Sequence, residues 1–172
     1  ELARNYGTSV VLCTATQPAL SSSESFRDGL DGVREIISDP VGLYEALRRV
    51  TVERLHEIPD ALLAERLGDE RQALCIVNTR RHARTLYERL QSEGAYHLSG
   101  LMCPVHRALV LGTIRKDLKA GKPCRVISTQ LVEAGVDVDF PIVYRAAAGI
   151  DSLAQAAGRC NREGLLTGPG KV

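Results

Sequence analysis

The sequence predicts an α/β fold in which a parallel sheet is sandwiched by helices. Three observations predict it. Short apolar segments alternate with amphipathic ones along most of the chain, an order that demands helical crossovers between parallel strands. Hydrophobic residues make up 44% of the 172 residues and aromatic ones only 4%, so the core must be aliphatic, as it is in strands buried on both faces. Hydroxyl, glycine and charged residues collect directly after the apolar segments, where such sheets present their ligand-binding edge.

The elements follow in order. Residues 9–16 (SVVLCTAT) read as a buried strand ending in small hydroxyl residues. Residues 21–33 form a Ser- and Gly-containing connector, expected to be exposed and mobile. This divides the chain into residues 1–20, the connector 21–33, and a main domain at 34–172. Asp39-Pro40 is a cap with a first-turn proline, opening a short helix through Leu47. Residues 50–58 form a strand, and Pro59 starts a helix that Gly68 stops. Residues 73–77 (ALCIV) form a strand. Ala83, Leu86, Tyr87 and Leu90 then mark the apolar stripe of a helix over 82–91. A strand over 96–99 leads to a helix over 104–120, stopped by Gly121 and Pro123. Strands over 125–129 and 142–146 precede a helix over 151–163.

Charge and cysteine usage exclude several classes. A net charge of +1 rules out bulk-charge coating of nucleic acid, though not a local groove. The five cysteines are widely spaced, with no CxxC pair. Neither a zinc ribbon nor a disulfide framework is supported, and reduced thiols in a cytoplasmic protein are expected. Cys103 and His106 have a C-x-x-H spacing but no second pair to complete a four-ligand set, so no metal site is expected. No apolar run reaches the roughly 18 residues that a membrane span needs.

Gln155, Arg159 and Arg162 lie at i, i+4 and i+7. On a continuous helix they share an arc of about 60°, with Leu153, Ala157 and Cys160 about 200° away toward the sheet. Two readings fit: a solvated helix face, or a phosphate clamp. A planar, permanently charged guanidinium fork matches phosphate oxygens, and one such arginine supplies about 10³ to 10⁵ in rate during phosphoryl transfer. Spacing alone does not choose between them.

Thr129 ends a predicted strand, and Gly135 and Asp137 follow. A hydroxyl at a strand tip can bond a nucleic-acid phosphate without adding charge. Gly135 permits a tight turn, and Asp137 can accept a bond from a ribose hydroxyl. The plain alternative is turn and cap residues. Asn78 and Thr79 end another strand, with Thr79 also fit to cap the next helix. Residues 164–172 (GLLTGPGKV) imitate a phosphate loop, but Leu165 stands where its first glycine belongs and no Ser or Thr follows Lys171. Asp69-Glu70-Arg71-Gln72 is no acidic metal box, since its fourth residue is Gln.

Taken together, TAT (14–16), STQ-x₂-EAGVDVDF (128–140) and Q-x-x-G-R-x-x-R (155–162) resemble the ordered motifs of superfamily 2 helicases. With TATQPAL, LSGLMCPVHR (98–107) and EAGVDVDFP, the set looks most like the CRISPR-associated helicase–nuclease of type I systems, although Gly100 stands where that pattern carries a hydroxyl. The resemblance implies a second RecA-like domain: a P-loop NTPase-like fold without its own P-loop, preceded at 1–20 by the last strand of the first RecA-like domain. It implies an ATP-dependent enzyme moving 3′ to 5′ on single-stranded DNA chosen by an RNA-guided surveillance complex.

By the same resemblance, Arg159 and Arg162 are arginine fingers that Gln155 helps position, while Gly135 and Asp137 meet the ATP ribose. Thr129, Asn78, Thr79 and Ser99 hold the DNA backbone, and Thr14 and Thr16 couple the two sites. Mg²⁺, most triphosphate contacts and the nuclease metal belong to the first RecA-like domain and to a nuclease domain, so this piece alone is expected to be inactive. Another superfamily 2 helicase, or a non-catalytic nucleotide- or nucleic-acid-binding module, is the alternative.

Overall fold

The structure is a computed structural model that describes residues 5–12, 20–24, 26–30, 32–90, 92–133 and 135–172. The chain divides into two compact units, Glu1–Val41 and Gly42–Val172. In the first, Ser23 and Phe26 exchange backbone hydrogen bonds of 3.0 and 3.1 Å, and the Leu30 N–H donates to the Leu20 carbonyl at 2.7 Å. Residues 9–12, the described part of the first expected strand, join no ladder, and Val10, Val11 and Leu12 are exposed. A lone extended segment cannot satisfy its own amides, and no described residue pairs with it.

Helix α1 (Pro40–Ala46) comes next in the chain, and strand β1 (Val50–Thr51) follows it. Then come α2 (Asp60–Asp69), β2 (Gln72–Ile76), α3 (Arg80–Leu90), β3 (Ala95–Leu98), α4 (Pro104–Lys119) and β4 (Cys124–Ser128). A 3₁₀ turn (Gln130–Val132), β5 (Val143–Arg145), α5 (Ile150–Ala157) and β6 (Gly170–Lys171) complete the order. Four strands form one parallel sheet in the order β3-β4-β2-β5, and β1 pairs with β6, also in parallel.

Side-chain alternation builds the two layers. On β2, Leu74 and Ile76 join Leu98, Ile114, Val126, Val143 and Phe140 on one face. Ala73, Cys75 and Val77 join Leu67, Ala83, Leu86, Leu90 and Ile127 on the other. Successive strand residues point to opposite faces, so a sheet covered on both sides needs the unbroken apolar run that Ala73 to Val77 supplies. Truncating Leu86, with no exposed surface, costs about 2–5 kcal/mol through lost burial and the void left behind.

Two expected elements are shorter than their patterns. The strand expected over 50–58 makes a ladder at Val50 and Thr51, opposite Gly170 and Lys171, with the Glu53 N–H donating to the Val172 carbonyl at 2.8 Å just beyond it. The helix expected over 151–163 ends at Ala157. Gly158 caps it, and Asn161 adopts φ 45°, a left-handed conformation that Asn tolerates better than most residues. The phosphate-loop imitation resolves here too. Gly170 lies in β6, where an added Cβ would come within 2.5 Å of the Cys160 Sγ; the glycine answers to packing.

Candidate functional site

The strand order creates a crevice. The connection leaving β2 runs toward β3 at one edge, whereas the one leaving β4 runs to β5 at the other. Loops that part in this way open a gap at the carboxyl ends of the strands, where α/β sheets bind ligands. Asn78 and Thr79 follow β2, Thr129 follows β4 and Ser99 follows β3. The fold therefore lines up all four along one edge.

Their availability differs. Thr79 and Asn78 are exposed, whereas Thr129 and Ser99 are 8% and 7% exposed. The Thr79 Oγ1 accepts the His82 N–H at 3.2 Å, capping α3 and leaving its hydroxyl proton to donate elsewhere. The Asn78 amide is partly engaged, its Nδ2 donating to the Ala147 carbonyl at 2.8 Å and its Oδ1 accepting from Arg145 Nη1 at 2.6 Å, which leaves a second N–H to donate elsewhere.

Arg145 was not legible as a site residue. It emerges from β5 with 2% of its side chain exposed and sits 2.8 Å (Nε to Oε1) from Glu133, 6% exposed. The approach is a close coulombic pair that is not aligned as a hydrogen bond. Glu133 lies just after the 3₁₀ turn, so this pair ties the end of β5 to the loop leaving β4.

The segment from Val136 to Phe140 explains the next cluster. Val136, Val138 and Phe140 are buried, while Asp137 is exposed and Asp139 half-buried. This period-two alternation turns both carboxylates the same way. The Asp139 carboxylate accepts the backbone N–H groups of Arg162 and Glu163 at 2.8 and 3.1 Å. Asp137 pairs with Arg162 at 3.2 Å (Oδ1 to Nη1), the two side chains being 78% and 45% exposed, and its carbonyl accepts from Arg115 at 2.9 Å. Gly135, at φ 69° with open space around it, makes the turn that feeds the segment.

The expectation of one helical face for Gln155, Arg159 and Arg162 is corrected. Gln155 lies on α5, but both arginines lie beyond its end. Arg159 does not project outward. Its Nε donates to the Val132 carbonyl at 2.9 Å, its Nη2 to that of Glu133 at 2.6 Å and its Nη1 to that of Gly158 at 3.3 Å. Burial, and after it the nearby Arg162 charge, make its proton easier to lose than usual, with Asp137 opposing. Arg162 alone of the two keeps an exposed guanidinium. Thr14 and Thr16 lie outside the described residues.

Cys75, Cys124 and Cys160 are buried, and Cys103 is exposed. Burial pushes the Cys75 and Cys124 thiols up to about 12 and Cys160 up to about 11. Cys103 precedes α4, where backbone N–H groups of His106 and Val105 stabilise its thiolate and lower its value. Among the described residues no group of three or more His, Cys, Asp or Glu could hold a metal ion, and no helix is long and apolar enough to cross a membrane.

A parallel sheet covered on both faces by helices, together with its likeness to solved helicase structures, makes this a RecA-like α/β domain. More narrowly, residues 69–165 match the family model described as CRISPR-associated nuclease/helicase Cas3, C-terminal; that is more than half the chain, which belongs to this family. The CRISPR-associated nuclease/helicase Cas3 of Methanothermobacter thermautotrophicus is 28% identical over 94% of this chain and 21% of its own length. The CRISPR-associated helicase Cas3 of Thermoproteus tenax is 28% identical over 92% of this chain and 26% of its own. This chain thus spans about a quarter or less of those relatives. Among solved structures, T. fusca Cas3 with ADP superposes with a TM-score of 0.59 at 22% identity, over 72% of this chain and 18% of that one, a likeness of fold.

Proposed function

We propose that this chain is the second RecA-like half of an ATP-driven 3′-to-5′ translocase on single-stranded DNA, working beside a nuclease domain of the same protein in type I CRISPR interference. The observation that carries the reading is the exposed Arg162 guanidinium, held at its backbone by Asp139 and, among the described residues, at its side chain by Asp137 alone. An ion pair this exposed contributes roughly 0–1 kcal/mol. A nucleotide phosphate arriving from a facing RecA-like lobe can displace it at little cost. Arg162 is then the finger on the γ-phosphate, and Asp137, once released, is placed for the ribose hydroxyl with Gly135 shaping the turn.

Arg159 takes a positioning role, fixing the Val132–Glu133 backbone, with Gln155 on the helix behind it. Asn78, Thr79, Ser99 and Thr129 would grip the DNA backbone at the strand tips, and Thr14 and Thr16 would pass the nucleotide state to that grip. Solution of the T. fusca relative with ADP supports nucleotide binding. The sequence contains no phosphate loop or acidic metal box of its own, so the facing lobe would supply Mg²⁺ and most triphosphate contacts, and this chain alone would not turn over ATP. An RNA-guided surveillance complex would deliver the DNA, in the cytoplasm.

In the full-length protein Arg162→Ala should lower DNA-stimulated ATP turnover by at least about 10³. Near-normal turnover would return Arg162 to the solvated surface and remove the main support for this reading.

A further inference from the structure

The Arg80–Leu90 helix carries a second cationic feature that the nucleotide site does not use. A groove of about 540 Å³ lies between α3 and the edge strand β3, lined by Arg80, Arg81, Arg84, Tyr87, His97 and Ser99 among others. Around α3, the buried Ala83, Leu86 and Leu90 occupy one side. Arg80, Arg81, Arg84 and Tyr87 fall together on the adjoining arc. A smaller hollow lined by Tyr87, Glu88, Ser92 and Ala95 shares Tyr87 with it and lies toward the amino end of β3.

Three properties of the groove point to one ligand chemistry. First, its charge is unspent: Arg84 is paired with Glu88 at 2.7 Å, but the side chains of Arg80 and Arg81 have no partner among the described residues. Second, its wall holds a π surface. The Tyr87 and His97 rings lie 5.6 Å apart, tilted by 31°, and the buried Nε2 of His97 has no hydrogen-bond partner among the described residues. Burial and then the Arg84 charge hold His97 below its ordinary value, so near neutrality the ring is uncharged. Third, Ser99, which follows β3 at the strand tips, is among the groove's lining residues. Guanidinium groups over a line of phosphates, with aromatic faces for the bases, are how single-stranded nucleic acid is held without sequence preference.

We infer that a nucleic-acid strand crossing the tips of β2 and β4 continues past Ser99 into this groove, its phosphates on Arg80 and Arg81 and a base against Tyr87. The inference rests on the DNA reading of the strand-tip row, and its test keeps the two separable. Full-length protein is titrated with oligothymidylates of increasing length at several salt concentrations.

Arg80→Gln with Arg81→Gln should lower the salt slope by about 1.4, at about 0.7 per lost phosphate contact on single strands, with the loss of affinity growing as the oligonucleotide lengthens. Tyr87→Ala should weaken long-oligonucleotide binding by about five-fold or more, and Tyr87→Phe should restore it. In the unsubstituted protein, iodouracil oligonucleotides should crosslink to Tyr87 or His97, a readout that survives if a variant fails to fold. Weakening by Thr129→Ala with no change in affinity or slope from the groove variants, and no such crosslink, would overturn the groove and leave the strand-tip row standing. No effect from either set would remove the DNA reading itself. Groove variants that alter only association with another protein would equally overturn the inference.

Discussion

Glu133→Gln tests the ion pair that fastens β5 to the loop after β4. The substitution keeps the side chain's shape and removes its charge, leaving the Arg145 guanidinium 98% shielded without a counter-ion. Stranding one member of a buried pair costs about 3–5 kcal/mol. Arg145 retains neutral acceptors on the Asn78 Oδ1 and the Ala146 carbonyl, at 2.6 and 2.9 Å, so the expected loss lies near 3 kcal/mol. For a unit of this size each kcal/mol moves the melting temperature by about 2–4 °C, giving a drop of about 6–12 °C by calorimetry or circular dichroism. Replacing both partners, Glu133→Leu with Arg145→Met, should recover most of the loss, since a buried pair is often worth no more than its apolar substitute. A loss under about 1 kcal/mol for Glu133→Gln, or no recovery in the double variant, would refute the claim that charge compensation holds this loop.

Two further outcomes follow from the geometry. Asp139→Ala removes both acceptors for the Arg162 and Glu163 amides, a loss of the kind seen when a helix cap is deleted, about 1–2 kcal/mol; if Asp139 positions Arg162, ATP turnover in the full-length protein should fall while ATP affinity changes little, and a fall in affinity alone would contradict this. Among Cys75, Cys103, Cys124 and Cys160, mass spectrometry after brief iodoacetamide treatment should find Cys103 alkylated first. The thiolate is the reacting form and the Cys103 value is lowered from 9.0, so its rate-against-pH midpoint should fall below 9.0; a midpoint above it would mean the backbone N–H groups do not reach the sulfur.

The sheet was legible because its strands announce themselves. Gln72–Ile76 and Cys124–Ser128 are short apolar runs between helical stripes, and each was placed to within a residue or so. The row Asn78, Thr79, Ser99 and Thr129 was equally legible, since strand ends in a parallel sheet share one edge. The arginine geometry was not. Extrapolating 3.6 residues per turn through Gly158 put Arg159 on the outer face, but the chain leaves the helix there and Arg159 finds three carbonyls instead. Helix ends depend on what the last carbonyls and amides meet, which periodicity does not encode. Glu133 and Arg145 escaped notice for a related reason: they sit on different elements, and the β4-β2-β5 strand order brings them together. Asp139 carried a signal, the second acidic residue in a Val-Asp-Val-Asp alternation, which a period-two reading of residues 136–140 would have used.

The short ladder between β1 and β6 has a kinetic consequence. It joins Val50 to Gly170, nearly the full span of the second unit, so closing it costs more chain entropy than any neighbouring contact repays early in folding. The β2–β4 centre can assemble from nearer partners first. Gly170 also packs on Cys160 and Asn161, and Asn161 anchors the turn by donating to the Arg49 and Gly168 carbonyls. The loop that presents Arg162 is therefore a late-maturing region of the domain and, by the same entropy, one of the first to open.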